Sequence, residues 1–352
     1  MKYSNNYILY PVNRALERAI ASSLSMLSDD LLEAATPDSS VTVADIFLHT
    51  RGNYEQRSFS SNILEPLREA LEASLTEASI TGPSVSGKGR DQEPLAWAEN
   101  QDRLGNILAA LGQQQRDAAL FEKATQCFNH ALEEFSQDDS PLDWAAAQAN
   151  LGTALQAMGR QEADAKLLNK AVDAYTAALL VYSKNETPEE WMTVMHQLGA
   201  TFHTYGTLLK GNRTFQKAVV SYKNALALLD ADNYAFELTA THNNRAAVLH
   251  HLAESEENPE RLIEAIKAYE KALTVCMEQQ LPFHLAVIIR VNKATAQNVL
   301  AELTNDALLA EEMSDEFELI MECFPHVLQP LCVKHCEEQL NQAKKLAGAS
   351  AA

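Results

Sequence analysis

Apolar residues recur along this chain at steps of three and four, the spacing that lines up one face of an α-helix. Leu151, Leu155 and Met158 form one such stripe; Leu167, Leu168, Ala171, Tyr175, Ala178 and Leu179 form the next. The pattern predicts a first helix over 142–158 and a second over 163–182. Pro141 suits a first turn, where its missing N–H costs nothing, and Gly159 suits a left-handed stop. Nearer the N-terminus, Leu9, Val12, Leu16, Ile20, Leu24, Leu27 and Leu31 make one helical stripe and Ile63, Leu67, Leu71 and Leu75 another. A turn at Pro37, Asp38, Ser39 and Ser40 and a short helix over 42–49 lie between them. The Gly, Ser and Pro of 80–94 read as a flexible linker. A last amphipathic helix is predicted over 333–346.

The central stripes repeat at an offset of 47 residues. Trp97, Trp144 and Trp191 stand on this grid, as do Pro94, Pro141, Pro188 and, two periods later, Pro282. The pairs Leu104-Gly105, Leu151-Gly152 and Leu198-Gly199 follow, then Leu108, Leu155, Phe202 and Leu249, then Gly112, Gly159, Gly206 and Ala253. The second half of each unit carries Ala124, Ala171, Ala218 and Ala265, then Phe128, Tyr175, Tyr222 and Tyr269, then Ala131-Leu132, Ala178-Leu179, Ala225-Leu226 and Ala272-Leu273. Neither helix of a unit can bury its stripe alone, so units must stack. A glycine inside a helix costs about 1 kcal/mol against alanine, tolerable at Gly152 if a neighbouring helix approaches closely there. Tyr175 is then expected to fill the gap between adjacent units.

This order of Leu-Gly, a large residue and then Ala, Tyr and Ala-Leu on the next helix resembles the tetratricopeptide repeat, whose usual unit is about 34 residues. Here the unit is a long variant. The resemblance covers 94–303 and implies an all-α fold: an α-solenoid of helical hairpins with extra N-terminal helices and a C-terminal capping helix. It divides the chain into an N-terminal helical module over 1–80, a linker over 81–93 and repeats at 94–140, 141–187, 188–234, 235–281 and 282–303 onward. An acidic helical cap over 304–347 and a frayed tail over 348–352 complete it.

In that family the first helix of each unit lines a concave groove. Carried over, the groove positions are Asp102, Asn106 and Ala109; Ala149, Asn150, Thr153 and Gln156; His196, Ala200 and His203; Asn243, Ala247 and His250; and Arg290, Ala294 and Gln297. Small residues leave room, and Asn, Gln and His both donate and accept hydrogen bonds. The resemblance therefore implies a protein or peptide segment as the partner. His196, His203 and His250 could meet across units as a metal or pH-sensitive site, though groove polarity explains them more simply. His242, His250 and His251 need only a solvated helix.

Charge narrows the partners. The chain carries 28 Lys and Arg against 48 Asp and Glu, a net charge of −20. Nucleic acid and anionic membranes are disfavoured, and a basic partner is weakly favoured. Self-association stays open. The acidic run around Glu311, Glu312, Asp315, Glu316 and Glu318 reads as a solvated face. No apolar run approaches the ~20 residues of a membrane span. Five scattered cysteines argue against a disulfide framework and for a cytoplasmic location. Cys323, His326, Cys332 and Cys336 have ligand chemistry for zinc, against the simpler reading of buried thiols. No cofactor is expected and no catalytic motif is visible. The expected function is a non-catalytic interaction scaffold or adaptor; the alternatives are a regulatory sensor of a short peptide or small ligand and, more remotely, an enzyme of unrecognised type.

Overall fold

The computed structural model describes residues 90–349, except 116, 325–327 and 329, together with Glu65, Arg68, Glu69, Leu71, Glu72 and Leu75. Beyond those six positions, the expected module over 1–80 lies outside the described residues, with most of the 81–93 linker and the last three residues. Every regular element among the described residues is a helix. In chain order these are α1 (Pro94–Gln115), α2 (Ala118–Glu134), α3 (Pro141–Gln161), α4 (Ala165–Ala178), α5 (Pro188–Leu209) and α6 (Asn212–Leu226). There follow α7 (Ala235–Glu256), α8 (Pro259–Glu278), α9 (Phe283–Thr304), α10 (Ala307–Cys323) and α11 (Pro330–Ala349).

The local chemistry of the ends repeats. Prolines open α1, α3 and α5, where a helix has no use for the missing N–H. The first-turn N–H groups of Trp97, Trp144 and Trp191 each donate to the carbonyl four residues earlier, at Glu93, Ser140 and Thr187. The three indoles thus hold one structural position. The second helices α2, α4, α8 and α10 are capped by Asp117, Asp164, Asn258 and Asp306, whose side chains accept the N–H groups of the first turn.

Gly159 is not the stop that the sequence suggests: α3 runs through it to Gln161. The left-handed turn falls just before the cap, at Ala163 (φ 54°), Lys210 (φ 52°), Glu257 (φ 48°) and Asn305 (φ 53°). A Cβ in this region is costly, and glycine avoids that cost. Ala163→Gly is therefore expected to stabilise the fold by about 0.5–1 kcal/mol. A thermal midpoint that stays put or falls would contradict this.

What Gly159 does is receive Leu168: a Cβ there would lie 2.9 Å from the Leu168 side chain. Gly152 likewise faces the Tyr175 ring at 2.9 Å, Gly105 faces Phe128 at 2.6 Å and Gly199 faces Tyr222 at 2.7 Å. Real Cβ atoms do not come so close, so these glycines let an aromatic ring lie directly on helix backbone. The ring fills the space inside its own hairpin, between first and second helix. This corrects the expectation that Tyr175 fills the gap between units.

The chain divides into two compact units, one ending at Val194 and the other beginning at Met195, a boundary inside α5. In the first unit α1 to α4 pack in chain order, and α1 also meets α3. Leu71 is buried in one apolar cluster with Leu104, Leu108 and Phe128, and Arg90 pairs with Glu133 and Glu134 and stacks 4.7 Å from the Trp97 ring. The end of the expected linker is thus tied down. In the second unit α6 to α11 pack in order, while α7 meets α9 and α9 meets α11. Both units are stacked helical hairpins, an all-α solenoid architecture.

The expected acidic cap over 304–347 resolves into two different things. Helix α10 buries Ala310, Met313, Phe317 and Ile320, each 48 residues after Leu262, Ala265, Tyr269 and Ala272 of α8. It is the second helix of a fifth hairpin, so the pattern continues past 303 with a slip of one residue. Helix α11 packs against α9 and α10, and it stays helical to Ala349, into the tail expected to fray.

Candidate functional site

First helices of successive hairpins meet along a seam of polar side chains. In the first unit, Asn150 Nδ2 of α3 donates to Asp102 of α1 at 3.0 and 3.3 Å, and Asn106 Nδ2 donates to the same carboxylate at 3.1 Å. Burial pushes the Asp102 carboxyl up to about 6, partly offset by the bond from Asn150.

In the second unit the seam is longer. His196 Nδ1 of α5 lies 2.8 Å from Thr241 Oγ1 of α7. The Thr241 hydroxyl donates its own hydrogen to the Glu237 carbonyl, so the imidazole must be the donor. His203 Nε2 lies 2.7 Å from His251 Nδ1, which requires one ring to donate and the other to accept. Asn292 Nδ2 of α9 donates to Asn243 Oδ1 of α7 at 3.0 Å, and Asn243 donates to Asn244 Oδ1 at 3.1 Å. Asn298 donates to the Gln339 side chain of α11 at 3.0 Å, and His335 Nε2 lies 2.9 Å from Thr295 Oγ1. Thus α11 completes the seam as another first helix would.

This placement corrects the expected groove. Asn106, Asn150, Gln156, His196, His203, Asn243 and His250 are buried, and Ala294 has no exposed surface. They cannot line an open trough. Gln156 instead accepts the Tyr175 hydroxyl at 2.9 Å, and Thr153 Oγ1 lies 3.1 Å from the same oxygen. Arg290, expected in the groove, forms a two-bond ion pair with Glu316 at 2.5 and 2.9 Å. Glu316 is therefore not simply part of a solvated face. Asp102, Ala109, Ala149, Thr153, Ala200, Ala247, Arg290 and Gln297 are half-buried.

Burial holds the seam histidines in their neutral form. It pushes His196 and His250 down to about 3 and His251 to about 4, with His203 well below its ordinary range. Neighbouring imidazoles deepen the effect at His203 and His250. His251 is therefore no ordinary solvated residue; it is the partner of His203. The sequence pattern did not point to Thr241, Asn244, Asn292, Thr295, Asn298 or Gln339, and it pointed to His335 only as a zinc ligand beside Cys332. A signal for the last part existed: Asn258 to Asp306 and Tyr269 to Phe317 are both 48 apart. That slip puts Asn292, Thr295 and Asn298 on the seam in place of Arg290 and Gln297.

Solved structures similar to this chain include the following three. BtubC (BKLC) from P. vanneervenii is similar at TM-score 0.47 and 16% identity, over 82% of this chain and 92% of that one. The C-terminal part of a TPR repeat-containing protein from Cytophaga hutchinsonii is similar at TM-score 0.34 and 13% identity, over 79% of this chain and 98% of that one. A signal transduction ATPase with numerous domains and a tetratricopeptide repeat sensor, from Pyrococcus horikoshii, is similar at TM-score 0.29 and 10% identity, over 97% of this chain and 63% of that one. No family model matches the chain, and no curated protein matches it significantly.

Among the described residues, no three His, Cys, Asp or Glu side chains converge in a way that could hold a metal. Of the zinc set, Cys332 and Cys336 sit one turn apart on α11, Cys336 buried, and Cys323 is exposed at the end of α10. His326 lies outside the described residues. No helix among the described residues is long and apolar enough to cross a membrane.

Proposed function

We propose that this protein is a non-catalytic interaction scaffold, a tetratricopeptide-like array with a 47-residue unit that holds a segment of another protein. The observation that supports this reading is the buried seam. Hydrogen bonds between consecutive first helices fix those helices side by side, and a surface held rigid before binding loses less entropy when a partner arrives. Next to the seam stand small and polar half-buried positions, Ala149 and Thr153 in the first unit and Ala200, Ala247 and Gln297 in the second. They leave room for a peptide backbone or a partner helix. The acidic chain favours a basic segment, and the cysteine usage supports a cytoplasmic setting.

Affinity purification of the full tagged chain with mass spectrometry is expected to return a stoichiometric partner. Ala200→Arg with Ala247→Arg is expected to abolish that capture while moving the thermal midpoint by only about 2–4 °C. Substituting buried His203 or Asn243 would test stability instead. Capture of the same partner by the double variant, or no stoichiometric partner at all, would end this reading.

A further inference from the structure

We propose that a cavity between α7 and α8 is a binding site for a phosphate group. The site is separate from the seam and does not depend on partner holding. His242 of α7 and Lys267, Glu270, Lys271, Thr274 and Val275 of α8 line a shallow cavity of about 420 Å³ that opens broadly to solvent. Lys267 and Lys271 are exposed, stand one helical turn apart, and form no ion pair among the described residues. Glu270 is the carboxylate of the lining, and Lys293 Nζ of α9 lies 4.0 Å from it. Arg245, whose charge reaches His242, is paired with Glu264. The cations here therefore outnumber the carboxylates, in a chain of net charge −20. The Nδ1 atom of His242 is enclosed by protein and meets no hydrogen-bond partner among the described residues, which leaves Nε2 as the ring nitrogen open to an anion.

The repeat supplies its own controls. At the positions of Lys267 and Lys271, the preceding units carry Val220 and Asn224, Asp173 and Ala177, and Gln126 and His130. The counterpart of His242 is Met195, and there Asn224 Nδ2 donates to the Met195 sulfur at 3.8 Å. A shared backbone thus carries a cationic opening in the fourth hairpin, where stacking alone asks for none. Lys267 and Lys271, at i and i+4, share one helix face with Cβ atoms about 6 Å apart, and their two ammonium groups suit a dianion with several oxygens better than a planar monoanion. Burial and the nearby Lys271 and Arg245 charges keep His242 neutral near pH 7, with its titration pushed down to about 4. A neutral imidazole offers the anion a donor without a proton from solution.

The test uses the full chain at pH 7.5 and constant ionic strength, with inorganic phosphate titrated in and the His242 ring followed by NMR. Saturable shifts at His242 are expected, with acetate binding at least tenfold more weakly. An anion in the cavity also favours the imidazolium, so the His242 titration should move upward. Lys267→Gln with Lys271→Gln, both exposed, is expected to weaken phosphate at least tenfold, whereas Lys271→Arg keeps binding within threefold. The control pair Lys123→Gln with Lys170→Gln should change nothing. Glycerol phosphate and a phosphoserine peptide then separate the sources: tighter binding of the first assigns the site to a small metabolite, and of the second to a modified side chain. Shifts that never saturate, acetate binding equal to phosphate, or equal binding by the lysine pair and its control would overturn the proposal.

Discussion

Acidification from pH 7.5 to 5 is expected to strip roughly 6–8 kcal/mol from the unit that begins at Met195, a loss comparable with the whole stability of an ordinary domain. The source is the set His196, His203, His250 and His251, held neutral by burial. In the unfolded chain each titrates near 6.5. Their folded values lie lower, so their contribution is intact above about pH 6.5 and is lost as pH falls toward the folded values. Below 6.5 each histidine costs about 1.4 kcal/mol per pH unit, hence about 2 kcal/mol at pH 5. The geometry gives the same direction: doubly protonated His203 and His251 could not share the contact at 2.7 Å.

Asp102 in the first unit works the other way. Its folded value is raised to about 6, so it costs stability at neutral pH, and that cost disappears as pH falls from about 6 to below about 4. The two units should therefore part company in acid. Hydrogen exchange at pH 5 is expected to show α6 to α9 opening before α1 to α4. Urea unfolding should lose its midpoint steeply between pH 6.5 and 5, with about four protons taken up per chain unfolded. A stability profile that is flat over this range would remove the buried-histidine account.

The second large effect lies at the ring-on-glycine contacts. Tyr175→Ala is expected to cost about 3–5 kcal/mol, since it empties a buried space and removes the hydroxyl that Gln156 accepts. Gly152→Ala alone should cost about 1–3 kcal/mol by overpacking, because its Cβ would sit 2.9 Å from the ring. Combined, the two should not add. With the ring gone, the methyl introduced at position 152 enters the vacated space, and the roughly 1 kcal/mol helix preference of alanine over glycine becomes visible. Gly152→Ala should thus turn neutral or stabilising in the Tyr175→Ala background, a coupling readable from a double-mutant cycle. Simple additivity in denaturant melts would show that the glycine is there for another reason.

The grid that carries these contacts was legible in the residues alone. Prolines at helix starts, a glycine matched by an aromatic 23 residues on (Gly105 with Phe128, Gly152 with Tyr175, Gly199 with Tyr222) and three equivalent tryptophans are local or pairwise signals. They led directly to hairpins that must stack. The helix ends were less legible. Ala163 and Lys210 adopt the left-handed conformation despite their side chains, because the cap at the next residue fixes where the chain must turn.

The candidate site was hardest to read. A polar residue on a helix looks alike in sequence whether it faces water or a neighbouring helix. Thr153 is half-exposed while Asn150, three residues earlier, is buried against Asp102. Arg290 looked free for a partner until folding brought Glu316, 26 residues later, to 2.5 Å.

Composition and periodicity thus dictated the class of the protein: helices, paired, with small residues placed where a ring must lie on backbone. Those features follow from chain geometry that each unit repeats. Which polar side chains are spent inside and which face a partner depended on the rotation and register of each first helix against the next. A slip of one residue near α9 turned the helix by about 100° and exchanged Gln297 for Asn298 at the seam. Such a rotation is set by the packing of whole helices, so it belongs to the assembled fold.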